Sequence, residues 1–583
     1  MYILGLNAYH PDSSACIIKD GRLLAAAEEE RFCRIKHWAG LPKEAVRYCL
    51  KEAGIGLEGV DYIALNRDPK ANLYKKMVFT LINRPSFSLV KNRFSNIYKI
   101  KGLKDILGRE FIIPKDKIRA RVYHIEHHRS HCASAFFVSP FKESAVVSID
   151  GSGDFTTCML AKGRDNKIEV LSEVHYPHSL GLFYTAFTQF LGFKKFGDEY
   201  KIMGLSAYGE PKYLKDLQEI LILKPKGIFR LNLDYFSFYR NRNGMLWNNS
   251  EPILEDAFSE KLIDKFGCPR KSQEETSSFH CDLAASVQKA YEETLMHILN
   301  YAYKITGISN LCLAGGCALN SAANGKIFKD TPFKEIYIQP ASSDAGGSLG
   351  AAYYLYHQLL NRKRSFTMKD AYWGPQFSSE EISYELGVRS YELKKQNCQI
   401  NKIDNEQDLC QKTAQAISEG KVVGWFQGRM EWGPRALGNR SILADPRRKG
   451  MKDILNARIK RRECFRPFAP SILLEKAGEY FQEDYPDPFM LKVYPVKEQK
   501  INIIPAVTHM DGTGRLQTVS KDENPLYWQL IVEFEKLTGV PVLLNTSFNE
   551  NEPIVCAPQE ALHCFLRTKM DLLVIGNYVI EKL

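Results

Sequence analysis

In the stretch "YHIEHHRSHCASAFF", residues 123–137, four histidines (His124, His127, His128 and His131) fall within eight positions of a chain that has 13 in all. If the segment is helical, residues four apart share a face. His127 with His131, or His124 with His128, could then offer two imidazoles to one cation, and spacing does not choose between the pairs. Two imidazoles completed by carboxylates form a mixed N/O donor set, which suits Fe(II), Mn(II) or Zn(II) better than Mg(II) or a thiolate-bound metal. Asp150 in "SIDGSGD" and Asp344 in "SSDAGGS" are the natural partners, because both lie on Gly/Ser-rich turns of the kind that accommodate phosphate or metal. The competing reading is a set of histidines that cap a helix or line a polar core.

A second concentration of chemistry lies far downstream. "GRMEWGPRALGNRSILADPRRKG", residues 428–450, carries Arg429, Arg435, Arg440, Arg447 and Arg448 around Gly-Pro turns, with few acids. "IKRRECFRPFAPSIL" adds Lys460 and Arg466, and "LLNTSFNENEP" ends an apolar strand in Asn545, Thr546, Ser547 and Asn549. Guanidinium forks bind oxyanions bidentately, so this pattern predicts a compact phosphate or carboxylate pocket. Nucleic-acid binding would favour spread basic residues interleaved with exposed aromatics, and it is disfavoured here.

These residues need elements to hold them. "YILGLNAYHPDSSACIIKDGRLLAAAEE" and "AVVSIDGSGDFTTCMLAKGRDNKIEVLSEV" share one layout: strand, polar turn with an acid, strand, Gly turn, strand. The repetition predicts a duplicated β-meander. Apolar residues at helical spacing predict a helix over 282–303 behind Asp282 as N-cap. The Gly315-Gly316 and Gly346-Gly347 turns flank the strand "EIYIQ" and, with Asp344, predict a nucleotide cleft. A composition shift at 357–366 places a domain boundary near 365, and the ~215 residues that follow suffice for an independent α/β domain.

The 583 residues are 44% hydrophobic and 25% charged, ordinary for a globular protein. The 14 cysteines form no CxxC pair, which predicts free thiols in a reducing compartment. No basic leader opens the chain and no apolar run approaches the ~18–20 residues of a membrane span, so a cytoplasmic protein without integral membrane contact is expected. The net charge of +11 is concentrated in residues 70–109, where ten Lys/Arg face the single acid Asp105. This segment reads as a basic amphipathic insertion, with docking to a membrane surface or an anionic substrate as the alternative.

Together, "HHRSHCASAFFVSPF", "SIDGSGDFTT", "GDEYKIMGLSAYG", "LAGGCALNSAANGKI", "SSDAGGSLGAA", "GRMEWGPRALGNRSILADPR", "RPFAPSIL" and "LLNTSFNENEPIV" resemble, in order, the O-carbamoyltransferases that decorate nodulation factors, aminoglycosides and cephalosporins. The resemblance implies an α/β protein with a duplicated actin/Hsp70-like domain, residues 1–365 with a basic insertion at about 70–110. A threonylcarbamoyl-AMP-synthase-like α/β domain, residues 366–583, would follow. It implies that His127, His131, Asp150 and Asp344 hold Fe(II), with Mn(II) and Zn(II) left open by the donor set. Lys201 of "DEYKIMG" would lie near phosphate, and His10 or Asp12 would be the base. Gly315, Gly316, Asn320, Gly346 and Gly347 would hold the nucleotide. Arg435, Arg440, Lys460, Arg466, Asn545 and Ser547 would bind carbamoyl phosphate and ATP, with Mg²⁺. The expected partners are carbamoyl phosphate, ATP and a hydroxyl-bearing small molecule or glycoside; homo-oligomer formation is left open. Two rival readings are a tRNA threonylcarbamoyl transferase and an actin-like ATPase switch.

Overall fold

The computed structural model describes residues 1–83, 100, 102–240, 245–246 and 250–583. The chain divides into two compact units, Met1–Met368 and Lys369–Leu583.

The first unit holds two five-stranded sheets of the same topology. In the first, β1 (Tyr2–Asn7), β2 (Ser14–Lys19) and β3 (Arg22–Glu28) form an antiparallel meander, and β4 (Tyr62–Leu65) and β5 (Arg121–His124) add in parallel beyond β1. The second repeats this with β6 (Glu143–Gly153), β7 (Thr156–Arg164) and β8 (Lys167–His175) as the meander. Two short hairpins follow, β9 (Leu221–Lys224) with β10 (Ile228–Leu231) and β11 (Met245–Leu246) with β12 (Ile253–Leu254). Then β13 (Asn310–Ala314) and β14 (Glu335–Ile338) complete the second sheet in parallel beyond β6. Each sheet therefore runs third–second–first–fourth–fifth, and the duplication extends past the meander to the whole sheet.

Strand burial follows from these positions. The central β1, "YILGLN", and the first seven residues of β6, "ESAVVSI", are buried almost throughout, as strands covered on both faces must be, whereas the edge strand β8 alternates in exposure. The helix expected at 282–303 runs from Ser278 to Thr306. It starts earlier because His280 Nδ1 accepts the Ser277 N–H at 2.9 Å, so the N-terminus closes one turn before Asp282. Asp282 lies inside the helix and binds the Lys212 ammonium (2.7 Å) and the Glu210 N–H (2.9 Å).

Two close approaches fix the helix Gly346–Tyr353. A Cβ on Gly350 would lie 1.7 Å from the Ser130 carbonyl oxygen, and one on Gly5 would lie 2.1 Å from that of Ser348. No larger residue fits either contact. The helix is thereby held against both β1 and the helix His127–Phe136, which brings the turn at Asp344 to the histidines.

The second unit is built on one nine-stranded mixed sheet. Its strands are β15 (Cys398–Lys402), β16 (Val423–Phe426), β17 (Arg440–Ala444), β18 (Ala469–Leu473), β19 (Lys492–Pro495), β20 (Thr513–Val519), β21 (Val542–Ser547), β22 (Leu572–Ile575) and β23 (Tyr578–Lys582), in the order β15-β23-β22-β16-β17-β21-β18-β20-β19. A continuous apolar core including Trp425, Ile442, Leu530, Leu544 and Val574 covers it. Among the described residues no helix is long and apolar enough to cross a membrane.

Candidate active site

Residues 127–136 form a helix because Glu126 caps it: its carboxylate accepts the N–H groups of His128 (3.1 Å) and Arg129 (2.8 Å). Burial and the charge of Asp154 raise this carboxyl to about 7. The helix sets His127 and His131 one turn apart, with their Nε2 atoms 3.0 Å from each other. His128 points elsewhere. Its Nε2–H donates to the Thr156 carbonyl (3.0 Å) and its Nδ1 accepts from the Ser148 hydroxyl (2.6 Å), so both ring nitrogens are used. Burial and the nearby His127 and His131 hold it well below the usual imidazole range. Of the two pairs that spacing left open, the one that the structure groups with carboxylates is His127 and His131.

Asp150, at the end of β6, and Asp344, before the helix Gly346–Tyr353, close on that pair. His127 Nε2 lies 3.5 Å from Asp150 Oδ2 and 3.3 Å from Asp344 Oδ1; for His131 Nε2 the distances are 4.0 and 3.5 Å. One ligand atom from each of the four lies within 4.8 Å of all the others, and all four residues are buried. Burial works against every charge here, but opposite charges prevail. Asp344 and Asp150 hold His127 well above its ordinary value, His10 and His127 hold Asp344 well below its own, and His127 and His131 bring Asp150 down to about 2.

The donor atoms fit a cation better than a proton. A proton between the two Nε2 atoms satisfies them and leaves the buried Asp344 Oδ1 without a hydrogen bond. A divalent cation engages all four groups, in the N/O combination that first-row metals favour. Supporting contacts orient the ligands: the Gly316 N–H donates to Asp150 Oδ1 (2.8 Å), and His10 Nδ1 is hydrogen-bonded to Asp344 Oδ2. Behind His127, a Cβ on Gly153 would fall 2.1 Å from the ring, so the β6–β7 turn is moulded to the imidazole.

The other expected residues of this unit have their own places. Gly316 and Asn320 are half-buried, whereas Gly315, Gly346 and Gly347 are buried. Gly315 abuts the Ile149 carbonyl, Gly346 that of Ala341, and Gly347 the Asn66 amide, so their smallness serves the tight turns that present Asp150 and Asp344. Asn320 caps a short helix through the Ala323 N–H (3.1 Å) and exchanges hydrogen bonds with Gln288 (2.9 and 3.1 Å). Lys201 forms an ion pair with Asp198 at 2.9 Å and lies over the Phe193 ring. Asp12 does not join His10: its carboxylate accepts from His37 Nδ1 at 2.7 Å. Burial opposes charge on His37, yet Asp12 lifts it to about 9. Sequence reading passed over His37, because nothing local in "RIKHW" announces a partner 25 residues away. Glu30 joins Asp12 and His37 to make a second, half-buried group of potential ligands.

In the second unit the arginine-rich loop folds around its one early acid. Glu431 Oε1 accepts the N–H groups of Leu437 (2.7 Å), Asn439 (2.8 Å) and Arg440 (3.1 Å). The expected ligands then separate into two groups. Arg440 is fully buried; its guanidinium donates to the carbonyls of Gln427, Gly428, Asn439, Pro375 and Cys556 and lies 3.7 Å from the Phe426 ring centroid. That places it in the scaffold of the loop, not on a binding face. Lys460 is also buried, donating to Ser547 and Asn549, and burial together with Arg462 and Arg466 holds it well below the usual lysine range. Asn545 is buried and donates to Ser471 (3.0 Å) and Gln517 (2.9 Å), and the Ser547 hydroxyl donates to Asn549 (2.8 Å).

Arg435 and Arg466 remain half-buried, and with Arg462 they crowd Arg515. Burial and the charges of those three hold Arg515 well below the usual guanidinium range, and its buried Nε has no hydrogen-bond acceptor. Guanidinium groups whose charges oppose one another in this way are an arrangement that an oxyanion relieves. Arg515 escaped sequence reading because a single arginine on β20, in "GTGRLQ", has no basic neighbour in sequence, and Arg462 was passed over in "IKRRECFRPF" beside Lys460 and Arg466.

Residues 2–353 match the family model described as carbamoyltransferase N-terminus, and residues 414–582 match the carbamoyltransferase C-terminus. An uncharacterized protein of Synechocystis sp. is 44% identical over 614 aligned positions, covering 100% of this chain and 97% of that protein. Nodulation protein NolNO of Sinorhizobium fredii is 40% identical over 584, covering 99% of this chain and 80% of its own length. Nodulation protein NolO of Bradyrhizobium diazoefficiens is 41% identical over 466, covering 79% of each chain. With both family domains matched in order and relatives of this identity spanning the chain, the protein belongs to the carbamoyltransferase family and is an enzyme of that class.

Proposed function

We propose that the chain is an ATP-dependent O-carbamoyltransferase whose donor is carbamoyl phosphate and whose acceptor is a hydroxyl of a sugar or other natural product. The observation that carries this reading is the convergence of His127, His131, Asp150 and Asp344 on one buried point, with Asp344 Oδ1 lacking a hydrogen bond. In the second unit, water hydrolyses carbamoyl phosphate to carbamate and inorganic phosphate, and the carbamate oxygen attacks the α-phosphorus of ATP, supplied with Mg²⁺. Pyrophosphate leaves and carbamoyl-AMP forms. Arg435, Arg462, Arg466 and Arg515 offset the negative charge that builds up in that displacement, while Arg440 and Lys460 hold the loops that carry them.

Transfer belongs to the first unit. The acceptor oxygen attacks the carbamoyl carbon, the bond to the phosphate oxygen breaks, and AMP departs with the electron pair. The hydroxyl proton is taken at the N-terminal turn, where Asp344 holds His10 and Asp12 holds His37. A divalent metal held by His127, His131, Asp150 and Asp344 would act as a Lewis acid toward the phosphate of the leaving nucleotide. Fe(II) is the ion that the family resemblance implies, and the donor set admits Mn(II) and Zn(II) as well. Gly316 and Asn320, both half-buried, would meet the nucleotide.

Mass spectrometry of the protein incubated with ATP, Mg²⁺ and carbamoyl phosphate, without acceptor, tests the activation step. Carbamoyl-AMP, or AMP and pyrophosphate formed only when carbamoyl phosphate is present, is the expected product. A folded, metal-loaded preparation that forms neither would overturn the reading. Arg515→Ala is expected to abolish adenylate formation, whereas His131→Ala should retain it and lose transfer.

A further inference from the structure

In the second unit a tight turn leads into β20: the His509 N–H donates to the Thr513 carbonyl (2.7 Å) and the Gly512 N–H to that of His509 (3.1 Å). The side chains close the same turn and fix the tautomer of the imidazole. The Thr513 hydroxyl gives its proton to Asp511 Oδ1 (2.6 Å), so toward His509 Nδ1, 3.1 Å away, it can only accept. Nδ1 therefore carries the hydrogen and Nε2 presents a bare lone pair. That nitrogen is shut off from water and has no hydrogen-bond partner among the described residues. Burial, helped by the charges of Arg515 and Lys452, prevails over the pull of Asp511 and pushes the imidazole down to about 4, so it stays neutral. Thr513 and Arg515, two apart on β20, share one face; both are half-buried, whereas Gly514 and Leu516 are buried on the other. His509 is thus bonded to the face that carries Arg515, whose buried Nε lacks an acceptor.

We infer that His509 determines specificity for the carbamoyl group, its Nε2 accepting an N–H of that group while the arginines take the oxygens. This rests on the donor proposed above. The two orphaned nitrogens, one an acceptor and one a donor, call for a ligand that carries a donor and an acceptor side by side. Phosphate dianion offers acceptors alone and would leave His509 Nε2 unpaired. Carbamoyl phosphate, and the carbamate derived from it, set an NH2 on the carbon that bears their oxygens. Guanidinium groups can only donate, so Arg435, Arg462, Arg466 and Arg515 select an oxyanion and cannot read that NH2. A neutral imidazole on the Arg515 face supplies the missing acceptor. The consequence is discrimination against acyl phosphates of the same shape and charge in which a methyl replaces the NH2.

Isothermal titration calorimetry of the full chain in the cold, without ATP, tests this with carbamoyl phosphate, acetyl phosphate and inorganic phosphate. Wild type is expected to bind carbamoyl phosphate at least ~10-fold more tightly than acetyl phosphate. His509→Phe keeps the bulk of the ring and should lose that preference, with its affinities for acetyl phosphate and inorganic phosphate unchanged. His509→Gln, whose Oε1 is an acceptor of similar reach, should restore part of it. Equal wild-type affinities for the two acyl phosphates would overturn the inference and leave the oxyanion site standing. So would a His509→Phe protein that still prefers carbamoyl phosphate, or one that weakens toward all three ligands in step, as a purely structural role requires. Wild type that binds none of the three would instead sink the donor reading, and this inference with it.

Discussion

The two sheets of the first unit each carry a polar residue late in the central strand, directly after its last apolar residue, and use it differently. β1 ends in Asn7, whose Nδ2 donates to the carbonyls of Pro11 and Asp12 (both 2.9 Å) and closes its own turn. The corresponding residue on β6 is Asp150, which leaves its own turn and faces two imidazoles. Each following turn also holds an acid at positive φ, Asp12 at 53° and Asp154 at 48°. Asp12 grips an imidazole, whereas Asp154 accepts backbone N–H groups. A duplicated backbone thus offers two equivalent turns, and the copy that carries Asp150 is the one whose carboxylate meets His127 and His131.

Exchanging these residues is the direct way to break the asymmetry. Asp150→Asn makes the second copy resemble the first and removes a ligand. Bound metal, measured by elemental analysis, should fall to trace, and carbamoyl transfer should drop by more than ~100-fold, beyond the usual cost of altering a ligand's hydrogen-bond partner. Gly153→Ala keeps the ligands but drives a methyl into the His127 ring; a loss of about 2–3 kcal/mol should appear in denaturant unfolding of the first unit. The reverse exchange, Asn7→Asp, sets a carboxylate against two carbonyls that have lost their donor. It should cost about 1–2 kcal/mol and bind no additional metal, because among the described residues no pair of imidazoles is grouped with Asn7.

The smallest effect concerns Glu29, in the first copy, which accepts the N–H groups of Ala45 (2.8 Å) and Glu44 (3.2 Å). Burial raises its carboxyl from 4.5 to about 7. The folded state therefore binds the proton more tightly than the unfolded state. The stabilisation is complete below about pH 4.5 and is lost as pH rises through 7. Between pH 6 and 7 the first unit should weaken by about 1 kcal/mol, and Glu29→Gln should flatten that slope in pH-dependent unfolding.

What the sequence disclosed followed the range of the interaction. The meander repeat and the histidine spacing are local, and both were legible. Which histidine pair faces the carboxylates was not, because the Ser148 and Thr156 contacts that occupy His128 lie 20 and 28 residues away and exist only once the sheet has formed. Of the parallel strands that complete the sheets, β14 was readable as "EIYIQ" between its two glycine turns, whereas β4 and β5 carry no motif of their own. Arg440 and Arg435 look alike on paper. Only folding around Glu431 sends Arg440 inward to carbonyls and leaves Arg435 half-buried, with its charge bearing on Arg515. The basic insertion read at about 70–110 is seen as the helix Leu73–Asn83 and the helix Leu103–Glu110; residues 84–99 and 101 lie outside the described residues.

Asp154 Oδ2 accepts both the Asp68 N–H (2.7 Å) and the His127 N–H (3.1 Å). One oxygen therefore ties the long excursion between β4 and β5 to the backbone of a candidate metal ligand, which limits how modular that excursion can be. A chain shortened beyond Asn72 keeps Asp154 satisfied, and with it the seat of His127. A chain cut back before Asp68 removes one donor from that oxygen and loosens the helix His127–Phe136 at its first residue. The permissible deletion boundary thus falls within a few residues, set by a single hydrogen-bond acceptor on the opposite sheet.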